Sequence, residues 1–180
     1  MGFNSMKNKK TIIVVITLVA ALAAGVLIKG TQKSSGVRAA TEGLSAPDFA
    51  LQDMDGKSWR LSSLKGSVVI VNYWATWCES CRLEMPALQK LYETTKGSDK
   101  LRILTVLFRD DPARAAAYMA QYGYNFPVLL DREGTTYPRY GLTGVPETFI
   151  IDKGGILRKK ILGPMDFVSP DATAYFGSLI

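Results

Sequence analysis

The chain has 180 residues, enough for one domain with accessory segments. Its formal charge is +6, but Lys7, Lys9, Lys10, Lys29, Lys33 and Arg38 lie in residues 1–40, which hold no acid, while the other 16 basic residues balance all 16 acidic ones. A neutral folded part lacks the basic footprint of nucleic-acid binding, and with no histidine present no His-containing triad, His-ligated zinc or copper site, or His general base can form. Two cysteines supply only half of a tetrahedral zinc site, so neither a metal nor another cofactor is expected. Catalysis, if present, must run on thiols with help from carboxylates.

Residues 1–10 are a basic tail, and residues 11–28 carry no charge. Such a stretch in helical form rises about 27 Å, near the thickness of a bilayer core. The lysines before it bias the N-terminus to the cytoplasm, which sends the rest of the chain across. Ala21-Leu22-Ala23 offers the small-residue pattern of a signal-peptidase site, but the apolar run continues beyond it through Val26-Leu27-Ile28. The segment is therefore expected to be an uncleaved anchor, with the domain on the extracytoplasmic (periplasmic) side. Residues 29–43, small, polar and rich in Gly and Ser, read as a flexible tether, and residues 44–180 as the domain.

Within the domain, Phe49 and Leu51, then Trp59 and Leu61, alternate with polar residues around the turn signal Asp55-Gly56, which predicts a β-hairpin. Residues 62–66 form a short loop or helical turn. Residues 68–73 are apolar at nearly every position, as in a strand buried on both faces. A helix is expected from the second cysteine to about Thr95, with Pro86 inside it. A strand over 101–108 follows, then a helix capped by Asp110-Asp111-Pro112 and running to Tyr122. A short strand over 126–131, a helical segment near 135–140, a strand leading to Asp152, a hairpin partner over 156–162 and a last helix opening at Ser169-Pro170-Asp171 complete the chain. This order predicts an α/β fold with a mixed central sheet flanked by helices.

The chemistry is concentrated in Trp74-Ala75-Thr76-Trp77-Cys78-Glu79-Ser80-Cys81. A Cys-x-x-Cys between a buried strand and a helix suits thiol–disulfide exchange. Free N–H groups and partial positive charge at the helix start favour the Cys78 thiolate, the expected nucleophile. Cys81, one turn along, is close enough to resolve a mixed disulfide. Glu79, between them, is expected at the surface, where its charge opposes the helix dipole in tuning Cys78.

These features resemble the thioredoxin superfamily, specifically its membrane-tethered ResA/TlpA/CcmG-type thiol–disulfide oxidoreductases. The resemblance covers about residues 44–162 and rests on Ala46-Pro47-Asp48-Phe49, the block from Val71 to Cys81, Pro86, and Gly144-Val145-Pro146-Glu147-Thr148. It implies a thioredoxin-like fold in which Pro146 is a cis-proline against the active-site disulfide. The Val145 backbone is then free to pair with an extended substrate segment, and Trp77 lies at the same surface. Asn72 stands where thioredoxin itself usually has a buried aspartate. That departure leaves Glu147 as the expected substitute, a buried carboxylate of raised pKa that takes the proton from Cys81.

The resemblance further implies reduction of disulfides of exported proteins, such as apocytochrome c, with electrons from a membrane thiol carrier, and the chain is expected to act as a monomer. A peroxiredoxin-like peroxidase would need Thr or Ser three residues before its cysteine and a proline four before that; Ala75 and Val71 occupy those positions. A copper carrier using Cys78 and Cys81 suits copper(I) thiolate chemistry but lacks the Cys-x₃-Cys and distal histidine of such relatives.

Overall fold

The computed structural model describes residues 39–180. The expected anchor at 11–28 lies outside the described residues, and no helix among the described residues is long and apolar enough to cross a membrane. Strands β1 (Ala50–Asp53) and β2 (Ser58–Arg60) form the expected hairpin, whose turn places Gly56 in the left-handed region at φ 81°. A 3-10 turn at Leu61–Leu64 leads to β3 (Val68–Trp74), buried at every position. There follow α1 (Glu79–Thr95), β4 (Leu101–Leu107), α2 (Pro112–Tyr122) and β5 (Val128–Leu130). Then come α3 (Thr136–Tyr140), β6 (Glu147–Ile151), β7 (Leu157–Leu162) and α4 (Pro170–Leu179).

The helix starts obey local chemistry. Asp111 accepts the Ala113 N–H with Pro112 in the first turn of α2, and Ser169 accepts the Ala172 N–H with Pro170 in the first turn of α4. Helix α1 continues through Pro86 to Thr95 even though the proline cannot donate to the Arg82 carbonyl. Its inward residues Met85 and Leu88 are completely buried, an anchorage that sustains the helix across the missing bond.

All seven strands belong to one mixed sheet in the order β2–β1–β5–β4–β3–β6–β7. Strand β3 lies at its centre, parallel to β4 and antiparallel to β6. Strand residues alternate between the two faces. Val68, Ile70 and Trp74 join Cys81, Met85 and Leu88 of α1, together with Ala115 and Met119 of α2 and Phe176 of α4, in one core. Val69, Val71 and Tyr73 join Phe149 and Ile151 of β6 and Tyr140 of α3 in the other. Asn72 and its cross-strand partner Thr148 fall on the α1 face; Tyr73 and its partner Glu147 fall on the opposite one. This alternation decides which acid can serve the cysteines.

Candidate active site

Buried β3 carries the chain to the edge of the sheet, where Thr76 fastens the turn before α1. Its N–H and hydroxyl both donate to Asp110 Oδ2, at 2.7 and 2.6 Å. Burial of the Asp110 carboxyl works against its ionisation, but the two bonds from Thr76, one from the Asp111 N–H and the charge of Arg114 hold its pKa below the ordinary value. The turn delivers Cys78 to the N-cap of α1 with extended backbone, and its sulfur accepts the Cys81 N–H at 3.1 Å, as a capping oxygen would. The Ser80 hydroxyl lies 3.4 Å from the same sulfur and is able to donate to it. Cys78 and Cys81 are joined as a disulfide.

The two sulfurs are not equivalent. Cys81 is fully buried, whereas Cys78 retains 6% of its surface. A visiting sulfur therefore meets Cys78 first. On reduction, the Cys78 thiolate would lie among donors at the positive end of α1, an environment that lowers a thiol pKa. Glu79 is exposed in the first turn, where solvent weakens its influence.

The other expected contact residues surround Cys78. The Val145–Pro146 peptide is cis, and the Val145 carbonyl oxygen lies 3.5 Å from Cys78 Sγ. That approach is a contact rather than a hydrogen bond, because a disulfide sulfur carries no hydrogen. The Val145 N–H has no acceptor among the described residues, and Pro146 is buried. Trp77 is 54% exposed and donates its indole N–H to the Arg109 carbonyl at 3.4 Å. Arg109, at φ 47°, adopts a left-handed backbone that non-glycine residues rarely take, and such conformations concentrate at functional sites. An open cleft of about 1040 Å³ runs from Trp77 past Phe108, Arg109 and Tyr137 to Thr143. Trp74 and Tyr73, by contrast, are core residues with no exposed surface.

Glu147 requires a correction. It is buried, as expected, but it lies on the sheet face opposite α1 and its pKa is lowered rather than raised. Burial alone would raise it. Bonds from the Thr143 hydroxyl and N–H, at 2.6 and 2.7 Å, and the charge of Lys160 outweigh that tendency. Gly144 N–H adds a bond at 3.1 Å, and Lys160 Nζ lies 3.0 Å from Oε2 as an ion pair without hydrogen-bond geometry. Glu147 therefore anchors the Thr143–Gly144 segment that leads into Val145–Pro146. Glu147→Gln should lose about 2 kcal/mol of folding stability in denaturant titrations by leaving Lys160 facing an amide. The pH profile of thiol exchange should stay in place; a moved profile would return Glu147 to the proton step.

The buried carboxylate on the cysteine side is Glu84, which the sequence reading passed over. It lies three residues after Cys81 on the inward face of α1 and keeps only 2% of its surface. Burial pushes its pKa up to about 7, against the lowering effect of the Met165 N–H at 3.0 Å and the Asn72 amide at 2.8 Å. The signal was its spacing: Glu84 shares the helical stripe of Cys81, Met85 and Leu88.

The chain matches the AhpC/TSA family over residues 43–160. It is 36% identical over 123 residues to the thiol-disulfide oxidoreductase ResA of Geobacillus thermodenitrificans, covering 68% of this chain and 70% of that protein. It is 37% identical over 131 residues to the ResA of Bacillus subtilis, covering 73% of each. Among solved structures, a thioredoxin-family thiol:disulfide interchange protein from Chlorobium tepidum TLS superposes with a TM-score of 0.65 at 28% identity, covering 77% of this chain and all of that one.

Proposed function

The chain belongs to the AhpC/TSA family of thioredoxin-like proteins and is a thiol–disulfide oxidoreductase, and from that premise we propose that it reduces disulfides of exported proteins at the outer face of the cytoplasmic membrane. The observation that carries the proposal is the asymmetry of the couple: a helix-capping, accessible Cys78 backed by a fully buried Cys81 with an acid of raised pKa one turn further on.

In the reductive direction the Cys78 thiolate attacks one sulfur of a substrate disulfide. The substrate S–S bond breaks, one substrate thiolate leaves, and a mixed disulfide to Cys78 forms. The extended substrate segment pairs with the free Val145 N–H beside Pro146, with Trp77 flanking it. Cys81 gives its proton to Glu84, and its thiolate attacks Cys78 Sγ. The second substrate thiolate leaves and takes up a proton, so two electrons have passed to the substrate and the Cys78–Cys81 disulfide has been formed. A thiol carrier in the membrane returns the two electrons. Glu79 contributes at most a weak, screened opposition to the Cys78 thiolate.

The uncharged run at 11–28 and the tether at 29–43 support placement beside such a carrier, with the domain on the extracytoplasmic side. Apocytochrome c, whose cysteines must be reduced before haem is attached, fits as a substrate of this class. The test is the reduction potential of the Cys78–Cys81 couple, measured by equilibration against a dithiol buffer. A value near or below that of thioredoxin, about −270 mV, is expected for a reductant; one near about −120 mV, the range of a dedicated disulfide donor, would reverse the assigned direction.

A further inference from the structure

The α1-facing side of β3 carries Val68, Ile70 and Trp74, and Asn72 is its polar member, with no exposed surface. Its amide nitrogen uses both hydrogens, donating to Glu84 Oε1 at 2.8 Å and to Thr148 Oγ1 at 3.0 Å. Its oxygen Oδ1, equally buried, has no partner among the described residues. A buried acceptor in that condition is costly, and native proteins seldom retain one without a use for it.

The bonds around Glu84 suggest the use. Both carboxyl oxygens are met by donors, Oε1 by Asn72 and Oε2 by the Met165 N–H. That arrangement serves the ionised carboxylate. A neutral carboxylic acid must itself donate, and a proton on either oxygen would then point at another N–H. The Met165 peptide is fixed by the backbone. The Asn72 amide is not: a half-turn about its last side-chain bond exchanges Oδ1 and Nδ2 with almost no change of shape. After it, Oδ1 accepts the Glu84 O–H. The Thr148 hydroxyl, able to accept or to donate, turns to donate to the same oxygen.

We propose that Asn72 is a positioning residue whose amide turns over with the proton on Glu84, so that one orientation fits the carboxylate and the other the carboxylic acid. The inference deepens the reading in which Glu84 receives the proton of Cys81, and depends on it only for its catalytic meaning. Among the described residues no charged side chain competes for Glu84. On its own helix the neighbour is Cys81, which in the disulfide has no proton to titrate. Tyr73 of β3 and Glu147 of β6 project from the far face of the sheet, where Glu147 is paired with Lys160. Beside Met165, Asp166 is engaged by the Val168 N–H. An amide is the fitting partner here because it offers a donor or an acceptor without adding a charge to a buried site.

The experiment is an NMR titration of the labelled, oxidised full-length protein in detergent micelles from pH 5 to 9, following the Glu84 side-chain carboxyl carbon and the Asn72 side-chain amide together. Both signals should move with one midpoint, and both Asn72 amide protons, bonded to Glu84 and Thr148 in the carboxylate form, should lose that bonded character together on the acid side of it. In Asn72→Leu, which keeps the branched shape but removes the donor to the carboxylate and the acceptor for the acid together, the Glu84 midpoint should move by less than about half a pH unit. An Asn72 amide that stays unchanged while Glu84 titrates overturns the proposal, as does a rise of the Glu84 midpoint by about one pH unit or more in Asn72→Leu, the effect of losing a donor fixed on the carboxylate. Joint titration with an unchanged exchange profile in Glu84→Gln would uphold the amide turn and count against the proton step, which keeps the two readings apart.

Discussion

Cells expressing Cys81→Ala should accumulate this protein in mixed disulfides with exported partners, whereas cells expressing Cys78→Ser should show none. Only Cys78 reaches the surface, so it alone forms the first bond to a visiting sulfur. Without Cys81 nothing inside the protein can break that bond, and the intermediate persists until an outside thiol intervenes. Either change should lower turnover of a disulfide substrate by about a thousandfold or more, as removal of a nucleophile does. Misfolding is not the explanation for the first cysteine. Cys78 occupies the N-cap of α1, a position that serine fills well, so Cys78→Ser should retain its thermal midpoint while losing exchange. The alanine at position 81 avoids leaving an unpaired hydroxyl in a fully buried place. The readout is a non-reducing gel of trapped adducts. Adducts forming through Cys81 in the Cys78→Ser protein would invert the assignment.

Glu84→Gln should yield a protein that is more stable and less active. The carboxyl has an ordinary pKa of 4.5 and is raised to about 7 in the fold, so ionisation is disfavoured once the chain is folded. A raised acid contributes stability that is complete below the unfolded pKa and is lost as pH rises through the folded one. The variant, neutral throughout, should match the parent near pH 4. It should draw ahead of the parent between about pH 4.5 and 7, reaching a plateau of about 3 kcal/mol above that. Denaturant midpoints at pH 4, 6 and 8 measure this difference. Exchange near neutral pH should fall by about a hundredfold, the usual contribution of a positioned proton acceptor, and the inflection near pH 7 should vanish. Equal activity of variant and parent across that range would remove Glu84 from the mechanism. The opposed effects are those of a site held in a costly state because its chemistry uses that state.

Much of this arrangement could be read from the residues alone. The Cys-x-x-Cys between strand and helix, the caps at Asp111 and Ser169, and the wholly apolar β3 are local signals, and the fold follows them. The acids were harder because burial of a charged side chain is decided by tertiary packing. Glu84 looks like an ordinary helix-surface residue until α1 is laid against β3, where Asn72 and the Met165 peptide meet it. Glu147 failed for a different reason. The family resemblance and the departure at Asn72 point to it, yet one residue along a strand changes the face. Its common face with Phe149 and Ile151 was already implied by the alternation, and that face turns away from α1.

The peptide at Met165 has a bearing on how proteins of this kind diversify. It holds Glu84 from 81 positions away in the chain, through a connection between β7 and α4 that contributes no atom to the sulfur chemistry. Insertions or deletions in that connection would change the acid's strength while every residue of the cysteine motif stayed the same. The working pH of the couple is thus adjustable from the stretch between β7 and α4, independently of the cysteine motif.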